Sequence, residues 1–299
     1  MEFCGVVCCA WRGVAADQLQ KISEKRRRVW RLSMKAIYLK ELKLTRKMTI
    51  IWLALIVILT GFAAIEFVML KDAMAEIAAL ADSFPKIVLI LFGMNGARVD
   101  TALGAYQCMV YWTNLLAFFF AGFLGVYAVA REEKFGTSEF LFSKPYKRSN
   151  VIYAKIWAAI TNLAIFALTV GIMSYLCIIL PLGDMSIVGT HIITTVGMFI
   201  TQIVLFAIGL FISSFAKNYK TASLFTMLTI VSFYVISFVL DYIGTINFLN
   251  FLTPVRYFEV ISVSKNGLSF FYILLSLIII LGSCSAASRL YTRKDLRAL

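Results

Sequence analysis

Residues 131–148 read REEKFGTSEFLFSKPYKR and separate two long apolar runs. They are the only long charged segment that lies between apolar runs of this chain. Gly136 is expected to end the helix that arrives from the preceding apolar run. Thr137 or Ser138 then offers a side-chain oxygen to cap a second helix, and Glu139 in its first turn suits the positive end of that helix.

This second helix is predicted to be short and to cover residues 138–143. Pro145 ends it, because proline lacks a backbone N–H and disfavours helical geometry at Lys144. A short helix held between two membrane spans suits docking against a cytoplasmic partner. An ordinary solvated loop is the alternative, because runs of charged residues are usually exposed to water.

The composition places the chain among integral membrane proteins. Hydrophobic residues make up 61% of its 299 residues, only 15% are charged, and the mean hydropathy is +0.86. A soluble protein of this length could not bury so much apolar sequence in its core. The net charge of +13 does not indicate nucleic-acid binding, because the basic residues cluster as they do in membrane proteins.

Six apolar runs are long enough to cross a membrane. Each has 20 or more residues and at most one charged side chain, and a ~30 Å hydrocarbon core requires about 20 residues. The runs are 48–70, 106–130, 156–180, 191–216, 221–240 and 268–288. We therefore predict an all-α integral membrane protein with six transmembrane helices.

Two further apolar segments are predicted not to span the membrane. Residues 84–94 are too few, and Pro85 and Gly93 frame them as a short, half-buried segment. Residues 241–267 are interrupted by polar residues and Pro254, as expected of a re-entrant or interfacial element.

The basic residues predict the orientation. Of 29 lysines and arginines, 24 lie before the first run, in residues 131–155, in the turn at 217–220 or in the tail, and 5 lie on the other side. Basic residues concentrate on the cytoplasmic side. We therefore predict a multi-pass protein of the cytoplasmic membrane, with both termini and residues 131–148 in the cytoplasm.

Residues 1–33 fit the membrane pattern least well, and their apolar start is too short for a signal peptide. Cys4, Cys8 and Cys9 have no nearby histidine or second cysteine pair, so no metal site is predicted. Met34 resembles a normal start, so residues 1–33 are interpreted as a disordered extension or a misassigned start.

Residues 34–299 are interpreted as the six-helix membrane domain, and residues 34–47 as a basic amphipathic helix that precedes its first span. Lys40, Lys43 and Lys47 share one stripe of this helix. Such a helix lies along the cytoplasmic membrane surface with its lysines facing anionic lipids.

No enzyme motif is found. No glycine is followed by lysine, which excludes a Walker A loop. The single histidine, His191, lies at a predicted membrane boundary, where it is interpreted as an interfacial polar residue, and it cannot supply a zinc-binding pair. The Glu132-Glu133 pair is reminiscent of intramembrane prenyl-type proteases, but these also need histidines on later helices.

The charged segment resembles the signature E-x-x-x-G-T-x-E-x-L-x-S-x-P-x-x-R…K of ABC-2 type transporter permeases. The matching positions are Glu132, Gly136, Thr137, Glu139, Leu141, Ser143, Pro145, Arg148 and Lys155. Phe142 departs from the family, which often has leucine there, but it keeps the apolar character. The resemblance covers about residues 34–299.

This resemblance implies six membrane helices and a cytoplasmic coupling helix between the second and third. It implies that an ABC ATPase subunit binds ATP and Mg²⁺, and that two such ATPases join this chain and a second permease copy, as a homodimer or heterodimer. The coupling residues that it implies are Glu132, Glu133, Gly136, Thr137, Glu139, Leu141, Ser143, Pro145 and Arg148.

Polar residues inside the spans are candidates for a substrate path, because burying them in lipid is costly. They are Glu66, Asn114, Asn162 and Gln202. The commoner role of asparagine and glutamine in spans is to join helices. A self-contained secondary transporter or channel is the alternative function, but it should show charged residues near mid-membrane and an internal repeat, and neither is seen.

The six-span topology makes a labelling prediction. Cysteines introduced at Lys144 and at Asp184 are expected to react with a membrane-impermeant thiol reagent from opposite sides of the membrane. Labelling of both positions from the same side would contradict six spans.

Overall fold

The computed structural model of the protein describes residues 3–96, 98–134, 148–244 and 247–293. These residues form helices and turns without a β-strand, and six of the helical segments are long and apolar enough to cross a membrane. The prediction of an all-α membrane protein with six transmembrane helices is confirmed. The six segments are Met34–Leu70, Ala102–Arg131, Asn150–Ile179, Met185–Phe215, Tyr219–Ile243 and Phe270–Tyr291.

The longer helices are labelled in chain order. They are α1 (Phe3–Leu70), α2 (Met74–Ala81), α3 (Lys86–Leu91), α4 (Ala102–Lys134), α5 (Arg148–Ser174), α6 (Val188–Phe215), α7 (Tyr219–Ile243), α8 (Val260–Asn266) and α9 (Phe270–Arg293). The shorter turns are Lys71–Ala73, Tyr175–Ile179, Leu180–Leu182, Met185–Ile187, Asn247–Leu252 and Pro254–Arg256. Of the two segments predicted not to span, 84–94 contains α3, and in 241–267 the last residues of α7 are followed, among the described residues, only by short helices.

The first span continues without a break into the residues before it. Residues 34–47 were expected as a separate helix, but they belong to α1 together with the span. The physical reason is that neither glycine nor proline occurs between Met34 and Thr60. The backbone of α1 is also helical back to Phe3, while the interpretation of residues 1–33 and the membrane-surface position of residues 34–47 stay predictions.

Helices α4 and α6 form the centre of the bundle, and α1, α7 and α9 lie at its periphery. A Cβ added to Gly125 of α4 would lie 2.3 Å from the carbonyl oxygen of Phe206, and one added to Gly209 of α6 would lie 2.5 Å from that of Gly122. Lipid gives helices no hydrophobic drive to associate, so small residues that let backbones approach supply the van der Waals contact.

The helices alternate in direction, so the bundle has two distinct ends. Arg131 of α4 meets Glu41 of α1 at one end, which we call the Arg131 end. At the other end the Nζ of Lys86, in α3, donates a hydrogen bond of 2.7 Å to the carbonyl oxygen of Tyr242, in α7. We call this second end the Arg256 end, after the ion pair of Arg256 described below.

The contact at Gly125 makes a stability prediction. Gly125→Val places a branched side chain against the backbone of α6, which cannot move aside as a flexible side chain can, so we expect a loss of about 1–3 kcal/mol in the free energy of unfolding. Thermal unfolding of the purified protein measures it. The matched control is Gly282→Val on α9, where an added Cβ meets no atom within 4 Å. Equal effects of the two substitutions would contradict the close contact.

Candidate functional site

Three charged side chains from three helices meet inside the Arg131 end. The Nη1 of Arg131 donates to Glu41 Oε2 at 3.1 Å, and its Nη2 donates to Glu41 Oε1 at 3.2 Å. The Nζ of Lys155 lies 3.9 Å from Glu41 Oε1 and donates to the carbonyl oxygen of Ala128 at 2.7 Å. No more than 5% of any of the three residues is exposed. We call Glu41, Arg131 and Lys155 the Glu41 cluster.

The charges of the Glu41 cluster are paired and hydrogen-bonded, and the cluster acts as a clamp, that is, a contact that keeps its helices together. Buried charges are tolerated when they are paired and hydrogen-bonded, and a two-pronged arginine–carboxylate contact meets both needs. The guanidinium of Arg131 also lies over the ring of Tyr127, 5.5 Å from its centroid. The cluster therefore joins α1 to the end of α4 and to the beginning of α5. Residues 135–147 connect these last two helices.

A polar contact between α1 and α5 continues from this clamp along the bundle. The Nδ2 of Asn162 donates to Thr45 Oγ1 at 2.8 Å and to the carbonyl oxygen of Ala158 at 3.1 Å. Its Oδ1 accepts a hydrogen bond of 3.4 Å from Thr49. Since these bonds engage both ends of the buried amide, the geometry favours the helix-joining role of Asn162.

A polar cavity of about 80 Å³ lies at the Arg256 end. We call it the Arg256 cavity. The Nη2 of Arg256 pairs with Asp241 Oδ1 at 2.7 Å and lies 4.0 Å from Glu259 Oε2. The wall comprises residues from α4, α6, α7 and the segment around α8: Gln107, Tyr111, Asn114, Phe118, Met198, Thr201, Tyr234, Ser237, Asp241, Val255, Arg256, Phe258, Glu259 and Val260.

The wall of the Arg256 cavity is rich in hydrogen-bond acceptors. Gln107 Oε1 and Asn114 Oδ1 are buried and have no hydrogen-bond partner among the described residues, and the same holds for one donor, Arg256 Nε. Burial, followed by repulsion from Asp241, raises the pKa of Glu259 above the usual value for glutamate, while Arg256 acts in the opposite direction.

The family comparison agrees with this architecture. A family model described as ABC-2 family transporter protein matches residues 35–296. The chain belongs to this ABC-2 transporter family. A comparison with curated proteins gave no match. The resemblance that residues 132–155 suggested is confirmed, and the match covers the six spans.

The residues predicted to couple this ABC-2 protein to an ATPase lie beside or within residues 135–147, which are outside the described residues. Glu132 and Glu133 lie in the last turn of α4, and Arg148 begins α5. The predicted helix 138–143 lies outside the described residues and stays a prediction. The coupling roles also remain predictions for Gly136, Thr137, Glu139, Leu141, Ser143 and Pro145.

The residues predicted to line a substrate path lie at different places in the ABC-2 protein. Asn114 lines the Arg256 cavity. Glu66 is exposed and lines an apolar groove of about 390 Å³ between α1, α2 and α4. Gln202 is fully buried between α6 and α4, where its Nε2 donates to the carbonyl oxygen of Ala117 at 3.4 Å. The structure therefore does not bring these residues and Asn162 to one site.

Two features of the bundle were missed at the sequence level. Glu41 was overlooked, although it is the only acidic residue within 34–47 and that isolation is a usable signal. The Arg256 cavity is not visible in the sequence, because Gln107 of α4 lies far along the chain from Asp241, Arg256 and Glu259.

His191 is buried and hydrogen-bonded inside the bundle, while its position at the membrane boundary stays a prediction. The hydroxyl of Tyr106 forms a hydrogen bond of 2.8 Å with His191 Nδ1, and His191 Nε2 lies 3.1 Å from the carbonyl oxygen of Gly171. A carbonyl only accepts, so Nε2 carries the proton and donates, and the Tyr106 hydroxyl donates to Nδ1. This network joins α4, α5 and α6 near the Arg256 end.

The Glu41 cluster makes a second stability prediction. Glu41→Gln removes the carboxylate between two buried cations, so the free energy of unfolding should fall by about 3 kcal/mol, as when a buried ion pair loses one partner. Chemical or thermal unfolding measures it. The matched control, Glu76→Gln on the exposed surface of α2, should change stability by less than about 0.5 kcal/mol. A Glu41→Gln protein as stable as the control would contradict the clamp.

Proposed function

We propose that the protein is the permease subunit of an ABC exporter, which moves substrate outward across the cytoplasmic membrane while a separate ABC ATPase hydrolyses ATP. The observation that carries this proposal is the family match over residues 35–296 of a chain with six membrane-spanning helices. Membership of the family supports the assignment of this chain as a membrane permease component of an ABC transporter. The outward direction of transport and the separate ATPase partner go beyond that assignment and are proposed.

The chain needs a partner to use ATP, since no glycine in it is followed by lysine and a Walker A loop is therefore absent from the sequence. ATP and Mg²⁺ are accordingly assigned to the ATPase subunit and to no site on this chain. A second permease copy, identical or different, completes the proposed exporter, with membrane lipids around it. The excess of basic residues supports a cytoplasmic position for the Arg131 end, on the side where the ATPase would bind.

We assign coupling to residues 132–148 and their short predicted helix. The support for this is the clamp on both sides of the segment, where Arg131 ends the preceding span and Lys155 lies in the first turns of the following one. A force applied to residues 135–147 would therefore act on α1, α4 and α5 together, because Glu41 ties them at that end.

Helix α4 gives such a force a path across the membrane. It runs unbroken from Ala102 to Lys134, and at 1.5 Å per residue its 33 residues extend about 50 Å. Arg131 in the Glu41 cluster and Gln107 in the Arg256 cavity lie near its opposite ends. Rigid displacement of α4 would thus change the cavity wall when the ATPase end moves.

The coupling assignment predicts a specific defect. Gly136→Val should hinder the turn before the predicted helix, and Glu139→Lys should place a cation at its positive end, at a local cost of about 0.3–1 kcal/mol. Both variants should fold and insert normally, but ATPase association, stimulated ATP hydrolysis and transport should decrease together. Co-purification with the ABC ATPase and a transport assay measure this.

Matched controls separate coupling from general damage. Glu76→Lys makes the same charge reversal at an exposed position of α2, and Gly282→Val adds the same side chain to the exposed surface of α9. Both controls should associate and transport normally. Normal association and transport in Gly136→Val and Glu139→Lys would mean that residues 132–148 are not the coupling element.

A further inference from the structure

We propose that the Arg256 cavity binds an organic ammonium cation that carries an apolar substituent. This inference rests on the proposed function: as the substrate of an exporter, the transported molecule contains such a group. Three features of the cavity suit such a cation: its unpaired acceptors, its acidic wall and its aromatic rings.

Gln107 is the most direct sign of a ligand with hydrogen-bond donors. It is only 6% exposed and lines the cavity, and its Nε2 is fully engaged by the carbonyl oxygens of Gly93 at 3.0 Å and Asn95 at 2.8 Å. Its Oε1 accepts no hydrogen bond from any described residue, and neither does Asn114 Oδ1. Leaving buried acceptors unpaired is costly, so a donor-rich group in the cavity would be stabilised there.

The charges in the wall favour a cation. Two carboxylates, Asp241 and Glu259, share one guanidinium, that of Arg256, and only Asp241 pairs with it closely. Glu259 lies 4.0 Å from Arg256 Nη2, beyond hydrogen-bond distance. Lys86 does not line the cavity, and its Nζ is engaged by the carbonyl oxygen of Tyr242. A ligand ammonium can therefore pair with Glu259 without displacing an existing bond.

The remaining wall suits an organic cation better than a metal ion. The rings of Tyr111 and Tyr234 lie edge to face with centroids 6.4 Å apart, and Phe118 and Phe258 complete an apolar side. Aromatic faces attract ammonium groups, and apolar walls bind the carbon skeleton of a ligand. Among the described residues no group of three or more His, Cys, Asp or Glu is placed to hold a metal ion.

The experiment measures equilibrium binding of ethylammonium to the full chain purified in lipid nanodiscs, with ethanol and acetate as neutral and anionic probes of similar size, because a cavity of about 80 Å³ admits only a small ligand. Saturable binding of ethylammonium alone is expected. Glu259→Gln should weaken it about tenfold or more, as for loss of a charge-assisted hydrogen bond, and Glu76→Gln should leave it within about twofold. Equal binding of the three probes, or unchanged binding by Glu259→Gln, would overturn the inference.

A second variant guards against a folding defect in the first. Asn114→Leu removes one unpaired acceptor without touching the Arg256 ion pairs, and it too should weaken ethylammonium binding while thermal unfolding stays unchanged. Binding as tight as in the unaltered protein would count against the inference. Because no ATPase is present, this test is separate from the coupling test: a chain that associates with the ATPase yet shows no preference for the cation refutes only the ammonium site. A chain that binds ethylammonium but never engages an ATPase refutes only the exporter function.

Discussion

The close approach of α4 and α6 is the contact on which the rest of the bundle depends. Gly125 of α4 and Gly209 of α6 leave no room for a Cβ between the two backbones. In a membrane, this kind of contact replaces the hydrophobic effect as the source of helix association. It places α4 at the centre, with α5 and α1 on the side of the Glu41 cluster and α7 on the side of the Arg256 cavity.

Polar groups in this apolar bundle lie where they join three helices at once. The Glu41 cluster joins α1, α4 and α5 at one end, and the Tyr106–His191–Gly171 network joins α4, α5 and α6 toward the other. Because unpaired polar groups in lipid are costly, each network resists separation of its helices. The Arg256 cavity differs from these networks, because its wall contains buried acceptors that are not all paired. Unpaired acceptors of this kind leave hydrogen-bonding capacity for a ligand, whereas the bonds of the two networks join helices.

Much of the fold was predictable because membrane burial leaves a simple pattern in the chain. The six apolar runs matched the six spans closely, since a ~30 Å core demands about 20 apolar residues of each. The boundary between residues 34–47 and the first span was misjudged, because a change from basic to apolar sequence does not break a helix that lacks glycine and proline. The candidate site was predicted only in part, since Asn114 lies in the Arg256 cavity but its partners there were not recognised.

Local composition and contiguous motifs such as residues 132–148 are enough to assign the class, the number of spans and the family of this protein. Which polar residues act together depends instead on how the helices pack. Glu41 meets Arg131 across 90 positions of sequence, and Arg256 meets Gln107 and Asn114 in one cavity wall although they belong to different helical segments. Two opposite charges stabilise each other only when they lie close together in space. Helix packing sets that distance, and it depends on side-chain contacts between many segments of the chain.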